Sequence, residues 1–216
     1  MSSDPVNSLP LAQRLALSYV RGEARAATLA LLLLDTRLAD AVRRAGEPVL
    51  AQIKLAWWRD RFAEPAEIWP EGEPLLDRLH AWPGTLSSLG SLVDGWEALL
   101  AETLNESDLA AFARGRAEAW TALGEGLGVR DLASTCASAR EWALADICLH
   151  LGNATEVALA RSMLEDGNQS IRLPAQLRSL AVLRALTIRA VKRDSSDPLD
   201  GAGAMLVALR SGLTGR

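Results

Sequence analysis

The sequence predicts an all-α protein with a single domain, 1–216, and three observations indicate this. The helix-favouring residues Ala, Leu, Arg and Glu dominate, glycine and proline interrupt them at intervals, and no alternating apolar–polar run is long enough for a strand. A chain of 216 residues can bury a sizeable core without disulfides or metal ions. Cys136 and Cys148 fall in one predicted helix, about 18 Å apart, so we expect both to be reduced.

Nine helices are expected from the apolar spacing and from the residues that start and stop them. Pro48, Pro74 and Pro174 suit a first helical turn, where backbone N–H groups lack helical partners. Asn105 is expected to cap the helix that follows it. The predicted helices span residues 10–20, 23–44, 48–62, 74–81, 86–104, 108–123, 132–165, 174–193 and 198–210.

Charge and hydropathy argue against a nucleic-acid-binding protein and against a membrane-spanning one. A net charge of −4 argues against nucleic acid as a partner, because phosphate binding needs a concentrated excess of Lys and Arg. The longest apolar run, 29–34, is far shorter than the roughly 20 residues of a membrane span. Asp4 and Arg14 interrupt the amino-terminal segment, which does not resemble a secretion signal. We therefore expect a cytoplasmic protein, free or peripheral at the membrane.

The segment 47–62 is expected to form a mostly buried helix that carries a carboxylate inward. At about 100° per residue, Val49, Ile53 and Trp57 share one stripe with Asp60. The opposite side of this helix is also apolar, so the pattern predicts neighbours on most of its faces.

Two other predicted helices place polar groups on apolar faces. Asp35 lies among leucines in the helix 23–44, and Asp146 and Asn153 share a face of the helix 132–165. A buried carboxylate is unfavourable unless it is paired, so either basic side chains or waters satisfy these groups, or they line a polar cavity between helices. For the second case, the cavity-lining candidates are Gln52, Trp57, Asp60 and Asn153.

The carboxy-terminal segment 170–216 is basic within the predicted domain. Four of its cations fall within about 100° of one helix face: Arg178, Arg189, Lys192 and Arg193. They form either a solvated charged face or a patch that docks on anionic lipid or on an acidic protein partner.

The run EPVLAQIKLAWWRD at 47–60 resembles the signature of squalene/phytoene synthase-like proteins. The segments LVDGWE at 92–97 and IRLP at 171–174 follow it in the order that the family shows. The resemblance covers most of the chain. It implies an isoprenoid synthase-type helical bundle and an isoprenoid diphosphate or another lipid as ligand.

The resemblance also implies Mg²⁺, which two aspartate clusters hold in the family's enzymes so that a prenyl diphosphate can ionise. This sequence departs from both clusters. The first aligns with ADAVR at 39–43, which keeps Asp40, and the second with RSMLE at 161–165, which keeps Glu165. Asp35 is near the first cluster but lies about 140° around the helix from Asp40. No metal site is therefore expected, unless Asp35, Asp40, Asp146 and Glu165 serve as catalytic residues with fewer magnesium ions.

Three functions remain open. The first is a family member that has lost diphosphate ionisation and acts as an isoprenoid- or lipid-binding or assembly-type protein, as in the branch that resembles complex I assembly factors. The second is an active magnesium-dependent, head-to-head prenyltransferase on farnesyl or geranylgeranyl diphosphate. The third is a generic helical interaction domain. The loss of carboxylates at both clusters favours the first.

Overall fold

The computed structural model describes residues 4–44, 47–165 and 171–216, except for the side chain of Glu165. Within these ranges the chain forms ten α-helices and three short 3-10 turns, without a strand, which confirms the predicted all-α class. The helices are α1 Leu11–Leu17, α2 Gly22–Arg43, α3 Pro48–Ala63, α4 Pro74–Leu79, α5 Leu86–Ala98, α6 Glu106–Gly126, α7 Leu132–Cys148, α8 Ala154–Glu165, α9 Arg178–Lys192 and α10 Gly203–Thr214.

The local signals for helix starts are confirmed at three positions. Pro48 and Pro74 are the first residues of α3 and α4. Asn105 caps α6, where its Oδ1 accepts hydrogen bonds from the backbone N–H groups of Ser107, at 2.8 Å, and Asp108, at 3.3 Å. The carboxylate of Asp108 accepts the N–H of Asn105 in return, which completes a capping box.

The single helix predicted over 132–165 is wrong. The chain leaves the helix after Cys148 and starts α8 at Ala154, with Gly152 in the connection. Asn153 Oδ1 accepts a hydrogen bond from the N–H of Thr155 at 2.9 Å, so this residue begins a new helix instead of continuing the old one.

Three further helices differ from the prediction by four residues or more at one end or at both. The helix expected over 86–104 ends at Ala98, and the one expected over 174–193 becomes α-helical at Arg178, after a 3-10 turn. The last helix, expected over 198–210, runs from Gly203 to Thr214.

One continuous apolar core joins side chains from nearly all of these helices. Trp120 of α6 and Trp142 of α7 meet edge to face at its centre, with ring centroids 5.9 Å apart. Cys136 and Cys148 are both free thiols, as expected. Among the described residues, no helix combines the length and hydropathy needed to cross a bilayer.

Helices α5 and α6 make the most extensive helix pair, and two glycines let them approach closely. A Cβ on Gly115 would overlap the carbonyl oxygen of Ser91 and lie 3.2 Å from Cα of Gly95. A Cβ on Gly95 would in turn lie 3.2 Å from the carbonyl oxygen of Phe112. This crossing brings the next residues in the chain, Trp96 and Arg116, side by side inside the bundle.

We expect Gly115→Ala to destabilise the fold by about 1–3 kcal/mol, because its methyl group meets backbone atoms that cannot rotate away. Gly90→Ala is the matched control on the same helix pair, since a Cβ there meets nothing within 4 Å. That change should stabilise α5 by about 0.5–1 kcal/mol. Urea unfolding followed by tryptophan fluorescence measures both, and equal effects of the two substitutions would contradict the close crossing.

Candidate functional site

Arg116 of α6 is a buried cation, with 3% of its surface exposed, and it pairs with Asp35 of α2. Its Nε donates to Asp35 Oδ1 at 3.0 Å and its Nη2 donates to Asp35 Oδ2 at 2.8 Å. This two-bond geometry matches the planar guanidinium to the carboxylate. The inward aspartate predicted on the helix 23–44 is therefore satisfied by an arginine.

Two more groups complete the arrangement. Arg116 Nη1 donates to Asp146 Oδ2 of α7 at 2.7 Å, and the indole N–H of Trp96 donates to Asp35 Oδ1 at 2.8 Å. The guanidinium carbon lies 4.4 Å from the ring centroid of Trp142, 4.7 Å from that of Phe112 and 5.1 Å from that of Trp96. Charges from three helices thus meet inside an aromatic box.

The burial of Asp35 and Arg116 affects the pKa values of both groups. Burial raises the pKa of the Asp35 carboxyl above its ordinary value, against the charge and hydrogen bonds of Arg116 and the hydrogen bond from Trp96. Burial alone would lower the pKa of Arg116, but the charges of Asp35 and Asp146 raise it. The guanidinium therefore stays protonated at every accessible pH.

A pocket of about 240 Å³ opens beside this group. Asp35, Arg116 and Asp146 line its inner end, and Arg43 and His150 lie nearer the surface. His150 Nδ1 is 2.8 Å from the backbone oxygen of Asp146. The pocket mixes both signs of charge, so it does not select strongly for an anion or a cation.

The signature run on α3 has a structural role. Trp58 is buried, and Arg59 Nε donates to Asp94 Oδ1 of α5 at 2.7 Å. Arg59 also forms an ion pair with Glu97. The two motifs found separately in the sequence, WWRD and LVDGWE, therefore contact each other and fasten α3 to α5.

The buried stripe predicted on α3 is wrong, because the helix presents its other apolar face to the core. Ala51, Leu55, Trp58 and Phe62 face inward, while Val49, at 58% exposure, and other members of the predicted stripe face outward. Two of the cavity-lining candidates on this helix, Gln52 and Asp60, are exposed as well. Trp57, 38% exposed, borders a shallow surface groove of about 530 Å³ and not an interior cavity.

The remaining candidates are dispersed. Asn153 is exposed at the start of α8, so it lines no interior cavity. Asp40 lies near the surface, with Oδ1 3.4 Å from Arg44 Nε and 3.9 Å from Arg43 Nη2. Glu165 ends α8, but its side chain lies outside the described residues.

Two of the four cations of the basic patch predicted on α9 bond to backbone carbonyl groups. Arg178 Nη1 donates to the carbonyl oxygen of Leu173 at 2.6 Å, and Arg189 Nη1 donates to that of Asp200 at 2.9 Å. Arg178 thus holds the chain that precedes α9, and Arg189 holds the chain that follows it. Lys192 and Arg193 are exposed at the end of that helix.

Arg116 is the residue that sequence reasoning missed, although a signal for it exists. It lies one turn after Phe112 and one turn before Trp120, on the stripe that buries α6. An arginine at such a position must pair with a carboxylate. A search of apolar stripes for cations as well as carboxylates would have linked Arg116 to Asp35 and Asp146.

The inward carboxylates Asp35 and Asp146 do not fit a magnesium site. Mg²⁺ requires free oxygen ligands in octahedral geometry, but both oxygens of Asp35 and one of Asp146 already accept N–H groups. Among the described residues, no three His, Cys, Asp or Glu side chains are grouped as metal ligands. Arg116 holds the positive charge between carboxylates of α2 and α7.

Comparison of the chain with protein-family models, with curated proteins and with solved structures finds no match.

We expect Arg116→Met to destabilise the protein by about 3–5 kcal/mol, because it leaves Asp35 buried without a cation. The double variant Asp35→Leu/Arg116→Met should lose less than this single variant, since it removes both charges together. Chemical denaturation of the two variants measures the difference.

Arg59→Met is the matched control for this comparison. Its ion pairs with Asp94 and Glu97 are about one-third exposed or more, so its loss should cost about 1 kcal/mol or less. Equal losses in the free energy of unfolding for Arg59→Met and Arg116→Met would show that the buried pair stabilises the fold no more than the exposed one does.

Proposed function

We propose that this chain is a squalene/phytoene synthase-like protein that does not ionise prenyl diphosphates and acts in the cytoplasm as a binding or assembly-type protein. The observation that carries the proposal is the buried Arg116 between Asp35 and Asp146. A fixed cation stands between the carboxylates that face each other across the bundle.

Electrostatics supports the proposed loss of diphosphate ionisation. Departure of a diphosphate develops negative charge that several cations must stabilise, and metal ions do so because they coordinate the leaving oxygens directly. Arg116 cannot replace them, since three of its N–H groups already bind carboxylates and its surface is 3% exposed. A bound diphosphate would have to break these bonds before it could reach the guanidinium.

The outer face of α3 supports an assembly role. Val49, Leu50, Ile53 and Trp57 are all exposed, next to the groove of about 530 Å³. Both signs of charge border this groove, with Arg37 and Lys54 beside Asp40 and Glu73. An apolar centre with a mixed polar rim is typical of a protein–protein contact.

The active-transferase alternative is tested by incubating the purified protein with farnesyl or geranylgeranyl diphosphate and Mg²⁺. We expect release of pyrophosphate at the rate of the protein-free blank, because both oxygens of Asp35 and one of Asp146 already accept N–H groups of Arg116 and Trp96. Asp146→Asn should leave this rate unchanged, as should Asp60→Asn, the control at an exposed carboxylate of the signature helix.

Turnover by the unmodified protein that Asp146→Asn abolishes, with Asp60→Asn still active and the helical circular dichroism of both retained, would overturn the proposal. The chain would then be a prenyltransferase in which substrate or metal displaces Arg116 from Asp146.

A further inference from the structure

Helix α10 presents its large apolar side chains to solvent. Leu206 is 70% exposed, Leu213 68%, Met205 58% and Leu209 49%. At about 100° per residue these four positions fall within one arc of about 100°. They therefore form one continuous apolar strip along the outside of the helix.

The inner face of α10 consists of small residues, which hold it close to the bundle. Ala204, Ala208, Ser211 and Gly212 are buried, and the helix packs against α9 and α1. A Cβ on Gly212 would overlap the ring of Tyr19, which lies two residues after the end of α1. The helix cannot turn its leucines inward, because that contact has no room for them.

The chain after α10 is also fixed. Leu173 donates its N–H to the carbonyl oxygen of Gly215 at 2.9 Å, and Arg172 Nε donates to that of Thr214 at 3.1 Å. The outward strip is thus a feature of the packed helix and not of a loose end.

The charges within α10 and at its carboxy-terminal end have one sign, and the nearest acidic residues, Asp197 and Asp200, lie before its amino-terminal end. Residues 201–216 contain Arg210 and Arg216 but no acidic residue, and both arginines are exposed. Arg172 adds a third exposed cation where it bonds to the end of the helix. This distinguishes α10 from α3, whose apolar face has acidic and basic neighbours.

We propose that α10 docks in the plane of an anionic membrane surface. Met205, Leu206, Leu209 and Leu213 enter the boundary between headgroups and acyl chains, and Arg172, Arg210 and Arg216 contact lipid phosphates. Twelve residues of helix measure about 18 Å, against about 30 Å of hydrocarbon, so α10 lies on the bilayer and does not cross it. The surface lies outside the α9 patch that the sequence suggested.

This proposal stands apart from the proposed function, because vesicle binding requires neither loss nor retention of prenyl transfer. The test is co-sedimentation of the full chain with vesicles of phosphatidylcholine alone and with vesicles that also contain phosphatidylserine. We expect binding to the second kind, weakened as salt is added, since salt screens the arginine–phosphate attraction.

Two variants separate the apolar and charged contributions. Leu206→Ser/Leu213→Ser should weaken binding about ten-fold or more, because it removes two of the inserted side chains. Arg210→Gln/Arg216→Gln should weaken it roughly twenty-fold on phosphatidylserine vesicles and flatten the salt dependence. All four side chains are exposed, so both variants should keep the circular dichroism of the parent.

Val49→Ser/Ile53→Ser is the matched control, because it removes two apolar side chains of similar exposure from α3 and should leave vesicle binding unchanged. Absence of binding to anionic vesicles would overturn the proposal, as would binding that the α10 variants leave intact. A dimer in analytical ultracentrifugation that Leu206→Ser/Leu213→Ser dissociates, without vesicle binding, would assign the face to a second copy of the chain instead.

Discussion

The buried ion group of Arg116, Asp35 and Asp146 constrains the rest of this bundle, because transferring charges out of water is expensive unless every partner is in place. The group draws one member from each of α2, α6 and α7. A shift of any of these helices by the length of one hydrogen bond would leave a charge in the apolar core without compensation. The interior of this bundle is thus specified by polar geometry as much as by the volume of its leucines and tryptophans.

Two glycines make this geometry attainable. With side chains at Gly95 and Gly115, α5 and α6 would separate, and Trp96 could no longer donate to Asp35 while it packs against Arg116. Arg59 then joins α3 to the same helix α5, through Asp94 and Glu97. The segments that resemble a family signature are therefore the ones that position the charged core.

The sequence predicted the helical class and the inward direction of Asp35, because both follow from local composition and from the spacing of apolar residues along one helix. The prediction of which face of α3 is buried was wrong for a physical reason. That helix is apolar on opposite sides, and its period of 3.6 residues does not say which side has a neighbour. The choice is made by packing, because Leu55, Trp58 and Phe62 are buried in the common core while Ile53 is 62% exposed.

The break between α7 and α8 was not predicted for a related reason. Apolar residues continue at helical spacing from Trp142 through Leu164, as they would in one uninterrupted helix. At Gly152 and Asn153 local chemistry is stronger than periodicity, because glycine weakens the helix and the amide of Asn153 caps the next one. Asp146 therefore remains on the interior helix, while Asn153 moves to the surface. Two residues that share a predicted face end in different environments.

A metal ion and a guanidinium differ in the chemistry that they allow between two facing carboxylates. A metal ion between facing carboxylates keeps exchangeable positions, so a substrate oxygen can enter its coordination shell and leave again. A guanidinium offers N–H groups fixed in a plane, and those of Arg116 that face Asp35 and Asp146 are already engaged. Because these N–H groups belong to a tethered side chain, the centre offers no exchangeable position where this cation could coordinate a substrate oxygen. Under the proposed function, such a centre stabilises a scaffold and recognition falls to the outer surfaces, where α3 and α10 expose the apolar side chains that the core leaves out.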